Sequence, residues 1–163
     1  MTVTNYLPNA LHVSSDELPF VELGDGTSIQ LLHSDIEQGI WVVRTLFEPG
    51  TTLQRHRHTG LVHAFTHAGT WKYLEYPEIN TAGSYLFEPA GSIHTLIVPK
   101  ENDGLTDATF VIQGANLYLD ENDKVETVVD AGTVRFIYDA LVEAKGLPKP
   151  PVVTGGTASV PRL

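Results

Sequence analysis

The sequence predicts an all-β barrel or sandwich followed by one helix, and three observations carry that reading. Between Phe20 and Val129, short runs rich in Val, Ile, Thr, Tyr, Phe and Trp recur at roughly 8–12 residue spacing. Turn chemistry separates them: Gly24-Asp-Gly26, Glu48-Pro-Gly50, Thr59-Gly60, Ala68-Gly69, Pro89-Ala-Gly91 and Asp103-Gly104. Helical periodicity begins only after Asp130.

In chain order, residues 1–19 are short apolar groups broken by Pro8, Ser14, Ser15, Asp16 and Pro19, and they read as an arm. Residues 20–129 supply the barrel strands, among them Thr52–Arg57, Leu61–Ala68, Gly83–Phe87, His94–Val98 and Asn116–Leu119. Gly114 interrupts a good strand pattern and marks a bulge. Residues 130–146 form the helix, with Asp130 as N-cap and Val134, Ile137, Tyr138, Leu141 and Val142 along one face. Gly146 is its C′ residue and Pro148 stops it. Residues 147–163 are Pro/Gly-rich and are expected to lie extended or disordered. No repeat or linker divides the 163 residues, so residues 1–163 form one domain.

The charge excludes some functions. Ten basic and 20 acidic side chains leave a net charge of −10, which argues against nucleic acid and other polyanionic partners. There are no cysteines, so a thiolate metal site and disulfides are both ruled out. The N-terminus lacks the basic start and apolar run of a signal peptide, and no apolar run reaches the roughly 18 residues of a spanning helix. The expectation is a cytoplasmic protein without a membrane partner.

The chemistry-bearing residues concentrate between Gly50 and Ile97, where five of the seven histidines lie. His56 and His58 are two apart, so a strand projects them from one face. If the next strand pairs with theirs, His63 comes close to both, with Phe65 and His67 on its own face. His94 follows the tight turn Pro89-Ala-Gly91, which can deliver it to the same point. Converging imidazoles without cysteine suit Fe, Zn, Ni, Cu or Mn. His12 and His33 lie apart from this group and receive no role, and His67 taken alone reads as a core histidine.

The spacing resembles the two motifs of the cupin family. Gly50, His56, His58 and Gly69 match the first, with His63 where the family usually carries Glu; Gly83, Pro89, Gly91 and His94 match the second, with Val98 in place of its Asn. Eight of ten marked positions agree, over about a third of the chain. The resemblance implies a double-stranded β-helix (jelly-roll) barrel with His56, His58 and His94 as metal ligands. His63 then stands either as a fourth ligand or as a catalytic base or donor beside the metal. With His63 in the carboxylate's place, the ligand set is expected to be neutral.

The run from Glu88 to Leu96 and the helix from Tyr138 are similar to three-histidine cupins of the acetylacetone-cleaving enzyme and 2,4′-dihydroxyacetophenone dioxygenase group. That likeness implies Fe(II), with Zn, Ni or Mn as alternatives, and O2-dependent cleavage of a C–C bond next to a carbonyl. The small-molecule substrate is then a β-diketone or hydroxyketone, in a pocket bordered by Gln54, Phe65, His67, Trp71 and Tyr85. Leu61, Tyr73 and Phe87 are further inward candidates by alternation. Family likeness also implies a homodimer or homotetramer. Two other readings remain open: a non-enzymatic metal-binding sensor, and a Zn-, Mn- or Ni-dependent isomerase or hydrolase on the same scaffold.

Overall fold

The computed structural model describes residues 10–155. After a 3₁₀ turn at Ser15–Glu17 come β1 (Val21–Glu22), β2 (Thr27–Asp35), β3 (Ile40–Phe47), β4 (His56–His58) and β5 (Val62–Ala68). They are followed by β6 (Thr70–Tyr73), β7 (Ile79–Thr81), β8 (Tyr85–Glu88), β9 (Ile93–His94) and β10 (Leu96–Ile97). The last strands are β11 (Thr106–Gln113), β12 (Asn116–Leu119) and β13 (Val125–Val129), and α1 spans Ala131–Ala144.

The strands pair antiparallel in a six-stranded sheet of order β1-β2-β3-β11-β5-β8 and a four-stranded sheet of order β13-β12-β4-β9. A smaller sheet, β10-β6-β7, joins them. On β3, β5 and most of β11 the inner face of the larger sheet is built by alternation. Trp41, Val43, Thr45 and Phe47 are buried on β3, Val62, Ala64 and Thr66 on β5, and Ala108, Phe110 and Ile112 on β11. Trp71, fully buried, packs against Tyr73 and Phe110 and anchors the core.

The helix forms as the sequence dictates. The Asp130 carboxylate accepts from the Thr133 amide at 2.8 Å, capping the first turn. Ala131, Val134, Tyr138 and Val142 bury one stripe, and the Tyr138 hydroxyl donates to the Pro19 carbonyl at 2.6 Å. The tail is extended and tied down: Val153 bridges His33 in parallel, with its carbonyl accepting from the Ser34 amide at 2.9 Å. Residues 1–9 of the expected arm and 156–163 of the expected tail lie outside the described residues.

Two glycines explain how β4 reaches its place. Gly114 follows β11 with φ +80° rather than forming a bulge within a strand, and it turns the chain from the six-stranded sheet into the four-stranded one. A Cβ there would lie 2.4 Å from Thr59 Oγ1, and one on Gly60 would lie 2.2 Å from the Gln113 carbonyl. The β4–β5 and β11–β12 turns therefore pass in backbone contact, and β12 emerges beside β4.

Candidate metal centre

The β4 strand carries the site. His56 and His58 are both buried while Arg57 between them is exposed. On one side β4 pairs with β9, which puts His94 directly across from His56. On the other it pairs with β12, which puts Tyr118 across from His56 and Asn116 across from His58. The turn at Pro89-Ala-Gly91 locks this arrangement. The Gly91 amide donates to the His58 carbonyl at 2.8 Å, and the His58 amide donates to the Ser92 carbonyl at 3.1 Å.

The three imidazoles lie together, each with a ring nitrogen within 4.8 Å of the others'. His58 Nε2 and His94 Nε2 are 3.0 Å apart. His56 turns Nδ1 to the Gln54 carbonyl at 2.9 Å, a contact that makes Nδ1 the protonated nitrogen and leaves Nε2 free to ligate. Burial, reinforced by the neighbouring His58 and His94, lowers the His56 pKa to about 4, so the ring is neutral at pH 7, as a ligand must be. Tyr73 stacks on His94 with ring centroids 3.8 Å apart, fixing the plane of that ring.

A carboxylate joins them. Glu88, 3% exposed, places Oε2 2.8 Å from His58 Nε2 and 3.3 Å from His94 Nε2. Its Oε1 accepts from the Tyr73 hydroxyl. Burial alone would raise the Glu88 pKa, but the His58 and His94 imidazoles hold it well below the usual carboxylate range. Burial and the facing Glu88 push Tyr73 well up, so it stays a donor. The expected neutral ligand set is therefore corrected: this chain brings an anionic oxygen to the histidines from β8 rather than from β5.

These residues fit a divalent ion. Ligand atoms about 2.1 Å from one ion stand about 3.0 Å apart at right angles and about 3.4 Å apart at the tetrahedral angle. Two of the separations among His58, His94 and Glu88, 3.0 and 3.3 Å, fall in that range, and the third, 2.8 Å, lies just below it. Glu88 Oε2 and His58 Nδ1 are also buried without a well-aligned hydrogen-bond partner, a costly state that an ion at Oε2 would relieve for the carboxylate.

The structure places the remaining candidates elsewhere. β5 does not pair with β4; it lies between β11 and β8 in the other sheet. Its inward residues are Val62, Ala64 and Thr66, so His63, Phe65 and His67 point outward. Because side chains alternate, the odd-numbered residues of β5 cannot reach an interior that the even-numbered ones fill. His63 Nδ1 meets the Tyr85 hydroxyl at 2.8 Å on the outer surface, and His67 Nε2 meets Thr109 Oγ1 at 2.8 Å. Phe65, Tyr85 and Phe87 are 43%, 56% and 51% exposed. Neither a metal-ligand nor a catalytic role for His63 survives this placement, and Phe65, His67 and Tyr85 are not pocket walls. Trp71 is inward but belongs to the core, its indole N–H donating to Thr66 Oγ1 at 2.9 Å. Gln54 does border the cavity, held at the rim by its Nε2 donating to the Leu119 carbonyl at 2.8 Å and to Glu126 Oε2 at 2.7 Å.

That cavity, about 250 Å³, lies against His56, His58, Tyr73 and Glu88. Tyr118 borders it too, its ring tilted against His56 at 5.5 Å, and burial raises its pKa so that it remains a hydroxyl donor. Sequence reasoning missed Glu88 and Tyr118. Their sequence signals are slight: Glu88 shares a strand face with Leu86 and precedes His94 by six, and Tyr118 follows Asn116 by two.

Residues 8–117 match the family model of the ChrR cupin-like domain. The chain belongs to the cupin family. A cupin-like protein of unknown function from Ralstonia eutropha JMP134 is 34% identical, with TM-score 0.86 over 94% of this chain and 97% of that one. An acetylacetone dioxygenase from Acinetobacter johnsonii superposes with TM-score 0.71 at 19% identity, over 86% of this cupin and 97% of that chain. The Rhodobacter sphaeroides complex of SigE with the anti-sigma factor ChrR gives TM-score 0.51 at 15% identity, over 61% and 51%. These two share the fold. None of the curated proteins matches this cupin in sequence. No helix among the described residues is long and apolar enough to cross a membrane.

Proposed function

We propose that this cupin is a non-haem Fe(II) dioxygenase that cleaves a C–C bond next to a carbonyl in a β-diketone or hydroxyketone. The observation that carries the reading is the cavity, which is mostly apolar and touches the histidine cluster directly. A domain that only sensed its metal would need the ligands and not the space. The fold shared with an acetylacetone dioxygenase agrees with this choice.

His56, His58 and His94 would hold the ion, with Glu88 adding one negative charge beside it. When bound, the ion supplies the Lewis acidity that favours the substrate's enolate and the electron route by which that enolate reacts with O2. The chain's own residues orient and shield. The His56 Nδ1 contact to Gln54 and the Tyr73 stack on His94 fix two ring planes. The Tyr118 hydroxyl, kept protonated by burial, is placed to donate to a substrate oxygen beside His56. Trp41, Phe47 and Phe110 line the space and keep water from the reacting carbon. Both O2 atoms end in the two carbonyl products.

The presence of Glu88 gives one alternative a specific basis. Three imidazoles and a carboxylate also suit Zn(II), so a hydrolase or a regulatory zinc domain stands as the second reading. Anaerobic Fe(II) loading followed by oxygen uptake with a β-diketone and with a hydroxyacetophenone separates them. Stoichiometric uptake with either supports the dioxygenase. No uptake, together with Zn(II) that survives purification and dialysis, overturns it.

A further inference from the structure

The cavity is larger than a metal-bound head group needs, and its composition is lopsided. Its apolar lining includes Trp41 and Val43 from β3, Phe110 and Ile112 from β11, and Val134 and Ile137 from α1. Trp41, Val43, Phe110, Ile112 and Val134 are buried core residues, so this wall is set by packing in both sheets and the helix. No lysine or arginine lines the cavity, and its acidic lining residues are Asp25 at the exposed rim and Glu88 inside.

Size and charge point the same way. At the packing density of protein interiors, about 0.74, the space takes a ligand of roughly ten to twelve non-hydrogen atoms. A short dicarbonyl would leave much of the apolar wall uncovered. A ligand with a second carboxylate or phosphate would bury that charge without a cationic partner, facing carboxylates instead.

We propose that the wall formed by Trp41, Val43, Phe110, Ile112, Val134 and Ile137 is a subsite for a neutral aryl or branched-alkyl tail. The compound bound is then a carbonyl substrate with an apolar arm of about six carbons and no second anionic group. The identity of the head rests on the dioxygenase reading; the tail subsite does not.

The test is equilibrium binding without turnover. Zn(II)-loaded protein is titrated with 2,4-pentanedione, 1-phenyl-1,3-butanedione, the same compound carrying a para-carboxylate, and toluene as a tail-only probe. Trp41 borders the cavity and is one of two tryptophans, so intrinsic fluorescence reports occupancy, with calorimetry as the second readout. Burying a phenyl ring should tighten binding on the order of 30-fold over 2,4-pentanedione. The para-carboxylate should abolish that gain, and toluene should bind alone. Val43→Phe and Ile137→Trp, which enlarge lining side chains on β3 and α1, should each cut the phenyl advantage over 2,4-pentanedione. Unaltered circular dichroism certifies each variant's fold. Toluene binding with no diketone binding would keep the subsite and sink the dioxygenase reading. Equal affinity for all three diketones, or no binding by toluene and the phenyl compound, overturns the subsite.

Discussion

His56 stands directly opposite His94 across the β4–β9 pair, their ring centroids 5.0 Å apart and nearly perpendicular at 87°. Opposed residues in an antiparallel pair sit close enough for two imidazoles to share one ion, and the third, His58, is two residues along the same strand face. Replacing His94 by alanine removes one ligand of three and leaves a void beside Tyr73 and His58. Metal content, read by elemental analysis after dialysis, should fall from one ion per chain to a small fraction. Unchanged content would refute the assignment.

Glu88 is predicted to matter through its charge. Glu88→Gln keeps the shape and the Tyr73 contact but loses the anionic oxygen facing His58 and His94. Metal affinity should drop about 10–100-fold, as for partners that tune a metal site. The same change in the metal-free protein should lower the melting temperature, because the His58 and His94 imidazoles favour the ionised carboxylate in the folded state. Competition with a chromogenic chelator measures the first effect and thermal melting the second.

The metal-free protein should lose stability on mild acidification. His56 has a pKa lowered by burial to about 4, against about 6.5 in the unfolded chain. Between those values the unfolded state binds a proton that the folded state refuses, so stability falls as pH drops from 6.5 to 4. The loss is on the order of 3 kcal/mol at its limit. Glu88, with its pKa depressed, has the other window: its contribution is complete above the ordinary Glu range near 4.5 and declines only below it. Denaturant midpoints at pH 7, 5.5 and 4.5 check the first window; a flat profile there would contradict it.

His63 should be dispensable for metal. It lies on the outer face with Tyr85 and Phe87, so His63→Ala should leave metal content unchanged and alter stability by no more than about 0.5 kcal/mol. Loss of metal in this variant would mean that β5 presents its other face. The contrast with His94 marks what was legible in the sequence. Motif spacing placed His56, His58 and His94 because local turns fix their strand registers. Which face of β5 turns inward is not a local property. It follows from β5 pairing with β11 and β8 instead of β4, a choice made across the whole chain. Glu88 was hidden for the same reason: its face is set by pairing with Val62, and nothing in its immediate neighbours announces a ligand.

Gly91 carries the turn that delivers His94. Its φ of +86° lies in the left-handed region, and its amide holds the His58 carbonyl. A Cβ there meets nothing within 4 Å, so Gly91→Ala costs only the backbone conformation, about 1–2 kcal/mol. Chemical denaturation measures that cost. If the turn relaxes to avoid it, β9 shifts against β4 and metal affinity falls with stability; if stability alone falls, the turn holds its register under strain.

Tyr118 separates binding of metal from binding of substrate. Its ring packs on His56, while its hydroxyl, kept protonated by burial, borders the cavity. Tyr118→Phe preserves the ring and removes only the donor. Metal content and melting temperature should therefore stay at their original values. A donor that strengthens its hydrogen bond as negative charge grows on a substrate oxygen should lower kcat more than it raises KM, on the order of tenfold or more. Were KM alone to rise, the hydroxyl would serve binding and not the reacting state. A fall in metal content would instead assign Tyr118 to the support of His56. Steady-state oxygen uptake beside elemental analysis on one preparation distinguishes the three outcomes.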